Sequence, residues 1–410
     1  MRESEGKGIM VNFGKTQDTL LSLLGHNLFS VPYECDAEVD WLEVVKESRM
    51  QSVMLIAFKN YKELPLDEQL SKKLEGRLFH NAMSNARCFN DHTYLHSLLE
   101  SGGIPYCILK GAASAHYYSD ALIRAMGDVD FYVPPEQLER ATEVLLSAGF
   151  ERMDINHKYH RIFKKDKIHC EMHFEPIGLP EGNMSDLFWD YWRSICDGSV
   201  IIKNDLVECR IPSPFLHGFI LLSHFVSHLL SEGIGLRHVC DFAVFADHFS
   251  NEEFTDVFAD KLKRVGLWRL AQLICLGAVD YMGMPYREWM GDDHETAKEL
   301  LTDILKGGNF GKKDSQRAYE GFFISDGETN GKKSNRITQA FKSLNGVVDI
   351  YWKHAKKFPL LYPVGWIYFS LRFVFRCITG KRKVSVVGAY TESEKRQKLY
   401  EKLNISKPEK

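Results

Sequence analysis

Asp128 and Asp130, two residues apart, and the later Glu171 are the side chains in this chain whose types and spacing could most readily do chemistry together. In Gly127-Asp128-Val129-Asp130-Phe131-Tyr132-Val133, the apolar Val129, Phe131 and Val133 alternate with Asp128, Asp130 and Tyr132. That alternation predicts a half-buried strand with both aspartates on one face. In Ile168 to Phe174 the pattern recurs: Ile168, Cys170, Met172 and Phe174 point inward, and His169, Glu171 and His173 outward. Three converging carboxylates suit a hard divalent cation, magnesium or manganese, because such ions take carboxylate oxygens and share them with substrate phosphates. The chemistry this suggests is phosphoryl or nucleotidyl transfer. Its charged transition state is stabilised mainly by electrostatics and alignment.

The surrounding residues fit that chemistry. Lys110-Gly111-Ala112-Ala113-Ser114 follows the apolar run Ile104 to Leu109 and leads into helix-forming sequence up to Leu122. A glycine there lets backbone amides approach phosphate, and Lys110 or Ser114 can add donors. The alternative for Lys110 is a solvent-exposed strand end. Arg124 offers a bidentate fork to a triphosphate or, equally, to a salt-bridge partner. His157, Lys158, His160 and Arg161, ahead of the Glu171 strand, form a further cluster able to touch phosphate or acceptor.

Helices must carry most of the rest. Trp41 to Asn60 and Leu66 to Glu100 show helical spacing, Gly102-Gly103 marks a stop, and Pro134-Pro135 opens a helix whose stripe is Leu138, Ala141, Leu145 and Ala148. A short strand is predicted near Phe150 to Met153. Beyond about residue 185 the pattern returns to helices, from Ser213-Pro214 to Leu230, Leu236 to His248, a capping box at Ser250-Asn251-Glu252-Glu253, Trp268 to Met282 and Glu295 to Lys306. The expected organisation is an N-terminal helical segment (1–101), a core (102–184), a helical domain (185–306), a flexible connection (307–337) and C-terminal helices (338–410).

Composition narrows the class. With 44% hydrophobic and 26% charged residues the chain can build a core and is not globally disordered. A net charge of −3 gives no overall polyanion-binding signature, so nucleic acid is not the favoured partner. Nine cysteines occur with no CxxC pair, which fits a reducing cytoplasm, and no secretion signal is visible at the N-terminus. Lys353 to Lys383 is rich in Lys and Arg, holds no acid, and encloses FPLLYPVGWIYFSLRFVFRCITG. Arg372 and Arg376 argue against a membrane span. Peripheral contact with the inner face of a membrane and packing on the core are the two readings of this segment.

The series Lys110-Gly111-Ala112, Arg124, Gly127-Asp128-Val129-Asp130, then Glu171-x-His173 resembles the DNA polymerase beta-type nucleotidyltransferase superfamily. More narrowly it resembles a bacterial family of uncharacterised nucleotidyltransferases often associated with polysaccharide biosynthesis. The resemblance runs over roughly residues 40 to 280 and takes in Gly235 to Phe242. It implies an α+β fold in which a small mixed β-sheet core is flanked by an N-terminal helical segment and a C-terminal helical domain. It also implies a triad of Asp128, Asp130 and Glu171 and magnesium-dependent use of a nucleoside triphosphate. The superfamily's usual Gly-Ser turn is here Gly111-Ala112, so one hydroxyl contact to phosphate is missing.

The expected activity is transfer of a nucleoside monophosphate from an NTP to a hydroxyl or phosphate of a small, sugar-like acceptor, releasing pyrophosphate. Lys110, Gly111, Ser114 and Arg124 would hold the nucleotide. Two other classes compete. One is a non-catalytic relative that binds nucleotide or a protein partner. The other is a metal phosphohydrolase built on His224, His228, His238 and Asp241. His217, His224 and His228 share a helical face, and the simpler expectation for them is packed imidazoles bonded to neighbours. Arg237 and Asp241 read either as orienting groups or as an interhelical ion pair.

Overall fold

The computed structural model describes residues 13–35, 38–153, 159–176, 186–314, 317–320, 328–329, 332–333, 336–352, 355, 357–378, 386–405 and 407. The chain starts with α1 (Lys15–Phe29), α2 (Trp41–Met50), the short α3 (Met54–Ala57) and the long α4 (Glu68–Ser101). The helix expected from Trp41 to Asn60 is broken at Ser52, which takes a φ of 58°. The break inserts Gln51 into the core. Its side-chain amide donates to Glu47 Oε1 (2.8 Å) and the Leu305 carbonyl (3.1 Å), and its oxygen accepts from the Leu236 amide (3.2 Å).

Next come β1 (Cys107–Ile108), α5 (Ala112–Ala115), β2 (Val129–Tyr132), α6 (Leu138–Ser147), β3 (Glu151–Arg152), β4 (His160–Lys165) and β5 (Ile168–His173). They form a mixed sheet of order β1-β2-β5-β4-β3, with β2 and β5 parallel and the other pairs antiparallel. The predicted alternation explains its two faces. Val129, Phe131, Phe163, Cys170 and Met172 pack with Phe89, Leu95 and Leu99 of α4 and with Ala141 and Leu145 of α6. The helix expected to run from Ala112 to Leu122 is only the single turn α5, followed by turns and a 3-10 turn at Ala121–Ile123.

Helix α7 (Asp186–Arg193) is followed by a hairpin, β6 (Val200–Lys203) and β7 (Glu208–Ile211), where helices alone were expected; Asn204 caps its turn by accepting from the amides of Leu206 and Val207. Then come α8 (Pro214–Leu230), α9 (Leu236–Asp247), α10 (Asn251–Arg264), α11 (Trp268–Met282) and α12 (His294–Gly307), with the capping box formed at Ser250 and Glu253. These helices share one apolar cluster with α1, α2 and α3, and with Cys107, Leu109 and Tyr132 on the second face of the sheet. The helical body therefore packs on the face of the sheet that Tyr132 shares with Asp130.

The short α13 (Arg317–Glu320), the strand pair β8 (Glu328–Thr329) and β9 (Lys332–Lys333), α14 (Arg336–Tyr351), α15 (Leu361–Ile378) and α16 (Val386–Leu403) complete the described chain. The connection expected over 307–337 falls partly on 315–316, 321–327, 330–331 and 334–335, outside the described residues. Within it, Arg317 ion-pairs with Asp303, and Glu320 accepts from Arg396 (2.9 Å). Among the described residues no helix is long and apolar enough to cross a membrane.

Candidate active site

The parallel pairing of β2 with β5 sets Asp130 directly opposite Glu171. Neighbouring strands lie about 4.8 Å apart, so the two side chains rise side by side from the polar face. Asp128 stands one residue before β2, is exposed, and has the same strand parity as Asp130. Burial, followed by the nearby charges of Glu171 and Asp130, pushes its carboxyl above the ordinary aspartate range. Crowded carboxylates of this kind favour a cation between them. Their all-oxygen donor set fits magnesium or manganese.

Lys110, just after β1, puts Nζ 3.2 Å from Asp130 Oδ2, while His173 Nε2 donates to Asp130 Oδ1 at 3.1 Å. Burial works to raise the Asp130 pKa, but Lys110 and His173 outweigh it and hold the carboxyl well below its usual range. Glu171 is also lowered, first by the hydrogen bond from His173. For His173 itself burial acts downward, yet its bonds to Asp130 and Glu171 leave the imidazole raised. His160, on β4, pairs across the strands with His173 and places Nε2 3.9 Å from Glu171 Oε2. His157 and Lys158 lie outside the described residues. Arg161 projects to the opposite face of the sheet, where it donates to Thr142 Oγ1 (2.7 Å) and Glu139 Oε1 (2.5 Å).

Gly111 adopts φ 58°, and a Cβ there would lie 2.5 Å from His92 Nε2. Glycine is thus required both by conformation and by space. His92, buried on α4, donates from Nδ1 to the Cys88 carbonyl (2.6 Å) and accepts from the Ala112 amide at Nε2 (3.4 Å). Burial drives its pKa down to about 4, which keeps it neutral. His92 was not visible as a site residue in sequence, because it reads as one position of a helical stripe. Ser114 is buried in α5, and its hydroxyl has no hydrogen-bond partner among the described residues.

Arg124 is placed differently. Its Nε and Nη2 donate to Asp241 Oδ1 (3.0 Å) and Oδ2 (2.8 Å), and the Tyr118 hydroxyl also donates to Oδ1 (2.7 Å). All three side chains are buried. Arg237 bonds the Ala125 carbonyl (3.2 Å), so the ion pair of Asp241 is with Arg124.

His224, His228 and His238 line up beyond His173, with ring centroids 6.2 Å from His173 to His224, 6.4 Å from His224 to His228 and 5.7 Å from His228 to His238. Burial, aided by Lys110 and His173, depresses His224 well below its ordinary value, so the row is a neutral wall of the same cleft. Among the described residues, ligand atoms at metal-binding spacing occur at His160, Glu171 and His173.

Beside the cleft lies a groove of about 550 Å³, lined by Arg49, Arg77, His80, Lys312, Asn81 and Ala125 among others. No acid lines it. Lys312 is lowered by burial and by the neighbouring charges of Arg237 and Arg49. These cations come from α2, α4 and the segment after α12, so no local sequence signal could have gathered them.

The model of a family described as uncharacterised nucleotidyltransferases matches residues 37–283, more than half of the chain. The chain belongs to this nucleotidyltransferase family. The matched span contains the carboxylates, the Gly111 turn, the histidine row and the Arg124–Asp241 pair. No curated protein matches the chain. In this chain the sheet supplies the acids and the helical body supplies the imidazole row.

Proposed function

We propose that the protein moves a nucleoside monophosphate from an NTP to a hydroxyl or phosphate of a small, sugar-like acceptor, with release of pyrophosphate. The observation carrying this is Asp130 opposite Glu171 on parallel strands, with Lys110 Nζ 3.2 Å from Asp130. Asp128, Asp130 and Glu171 would hold magnesium or manganese, which when bound draws charge from the triphosphate and the attacking oxygen. Lys110 is placed to pass from Asp130 to a phosphate oxygen. Gly111 keeps the turn beside it free of a side chain, and Ser114 keeps an unused hydroxyl there.

Glu171, held ionised, accepts the proton of an acceptor hydroxyl as its oxygen bonds to the α-phosphorus and the bond to pyrophosphate breaks. The acid-free groove beside Ala125 and Met126 suits the anionic part of a substrate. Membership of the polymerase beta-type superfamily and a role in polysaccharide assembly are supported by the resemblance of the motif series. The free cysteines among the described residues favour a reducing cytoplasm.

An NTP panel with magnesium or manganese, read as pyrophosphate release in cell extract and by mass spectrometry of acceptors, tests the reading. Turnover lost in Asp128→Ala supports it. No turnover under any condition, with Asp128→Ala matching the parent in metal-dependent NTP binding, would overturn it. NTP binding without turnover in the parent points to the non-catalytic alternative.

A further inference from the structure

We infer that His160, Glu171 and His173, together with Asp130, form a second cation site, one that selects a borderline transition ion of the zinc type over magnesium. The site rests on three adjacent strands, since β4 pairs His160 with His173 and β2 pairs Asp130 with Glu171. His173 Nε2 lies 3.1 Å from Asp130 Oδ1 and 3.5 Å from Glu171 Oε2, and His160 Nε2 lies 3.9 Å from the same Glu171 oxygen. A tetrahedral ion with bonds of about 2.0–2.1 Å separates its ligands by about 3.3 Å. The atoms present bracket that edge length.

Donor chemistry gives the selectivity. Two imidazole nitrogens with two carboxylate oxygens suit zinc, cobalt or manganese, whereas magnesium keeps to oxygen and water. Both rings are buried, so little side-chain freedom is lost on binding. The ion takes the place of the proton that His173 shares with the two acids, which is then released to solvent. Asp130 and Glu171 also serve the magnesium reading above. The nitrogen ligands do not, so this inference stands on metal binding and not on turnover.

The full chain is stripped with a chelator, loaded with Zn²⁺ or Co²⁺ in excess Mg²⁺, desalted and assayed for metal content and visible absorption. The expected result is one retained Zn²⁺ per chain and the intense bands of tetrahedral Co²⁺. His160→Gln should lower Zn²⁺ affinity at least about 10–100-fold. Should that variant misfold, His160→Asn takes its place, and His224→Phe, outside the ligand set, should retain the ion. No retained Zn²⁺, weak octahedral Co²⁺ bands, or equal retention by the His160 variants would overturn the site. Nucleotidyl transfer by protein that retains no Zn²⁺ overturns this inference alone, and Zn²⁺ retention with no transfer by the zinc-free chain in Mg²⁺ or Mn²⁺ leaves it standing while the functional reading fails.

A different observation carries a second proposal. Leu360 (88% exposed), just before α15, and Val364 (53%), Ile367 (63%) and Leu371 (64%) along it form an outward stripe at helical spacing. The inner side of α15 is held to α14 through Trp366 to Asn345 (2.9 Å) and Tyr362 to Asp349 (2.6 Å). Between Ile350 and Thr391 the sequence has eight Lys and Arg and no Asp or Glu, in a chain of net charge −3. The geometry points to an anionic membrane surface as the partner, with the stripe at the acyl boundary and the cations among phosphates.

Flotation of the full chain with phosphatidylglycerol-containing vesicles should succeed at low salt, weaken at high salt, and fail with pure phosphatidylcholine. Ile367→Glu with Leu371→Glu should reduce binding at least about tenfold with the melting temperature preserved, an expectation based on removing the apolar contact. Absence of binding to anionic vesicles would overturn it. So would a concentration-dependent dimer that the double variant dissociates, since the stripe would then cover a second copy of the chain.

Discussion

Two ionic clusters lie close together in this protein, and they are built on opposite principles. In the first, Asp241 receives two hydrogen bonds from Arg124 and one from Tyr118, all within buried surroundings, and the charges cancel. In the second, Asp128, Asp130 and Glu171 stand together without a bidentate partner, and Asp128 is pushed upward first by burial and then by the charges of Glu171 and Asp130. The closed cluster satisfies its own members and so serves as a clamp. The open one keeps unmet demand for positive charge, which is the property a metal or phosphate site needs.

The largest expected effect tests the clamp. Arg124→Ala leaves Asp241 buried and unpaired, a loss of about 3–5 kcal/mol in urea unfolding. Arg124→Met with Asp241→Leu should recover most of it. A stable Arg124→Ala with weakened NTP binding would break the comparison and place Arg124 on the triphosphate. Next, Asp130→Asn should lower transfer on the order of 10²–10³-fold, the range for losing one preorganised charged contact. Near-UV circular dichroism should be unchanged, because the amide keeps an oxygen for Lys110 or His173. Global unfolding of this variant would show that the open cluster is structural too.

Gly111→Ala should cost about 1–3 kcal/mol through its positive φ, with further loss from the contact with His92. Adding His92→Ala should make the pair less damaging than the sum, measured as a double-mutant cycle. The smallest effect concerns pH. Burial sets the folded-state pKa of His92 at about 4, below the unfolded value of 6.5. The unfolded chain therefore binds the proton first, so stability is complete above 6.5 and declines as pH falls toward 4. Between pH 7 and 6 His92→Gln should flatten this dependence by less than about 1 kcal/mol. Identical slopes in urea unfolding would count against a neutral buried imidazole.

Strand alternation made the acids legible, because period two leaves few ways to arrange Asp130 and Glu171. It could not reveal that their strands are parallel neighbours, since that depends on how β4 and β5 pair. His160 was only one of four basic residues in a cluster, and its role appears through its cross-strand partner His173. Arg124 could be read for phosphate or for an ion pair, and its acid sits on a distant helix. The break at Ser52 was equally hidden, since the apolar spacing of Trp41 to Asn60 runs straight through it and the reason for the turn, Gln51, bonds to α9 and α12. Helices α8, α10 and α11 were legible from caps and stripes, which are local signals.

The Arg124–Asp241 contact joins residues 117 positions apart. Closing so long a loop costs entropy that only later packing repays, which makes such a contact a late event in folding. During synthesis, the acidic strands leave the ribosome well before Asp241 does. Asn85 of α4 already holds the segment leading to Asp128 through the carbonyls of Leu122 and Arg124 and the amide of Met126, so the clamp adds its tie to a segment that earlier contacts have placed. The clamp thus locks the acidic strand's lead-in to the helical body only when that body is complete.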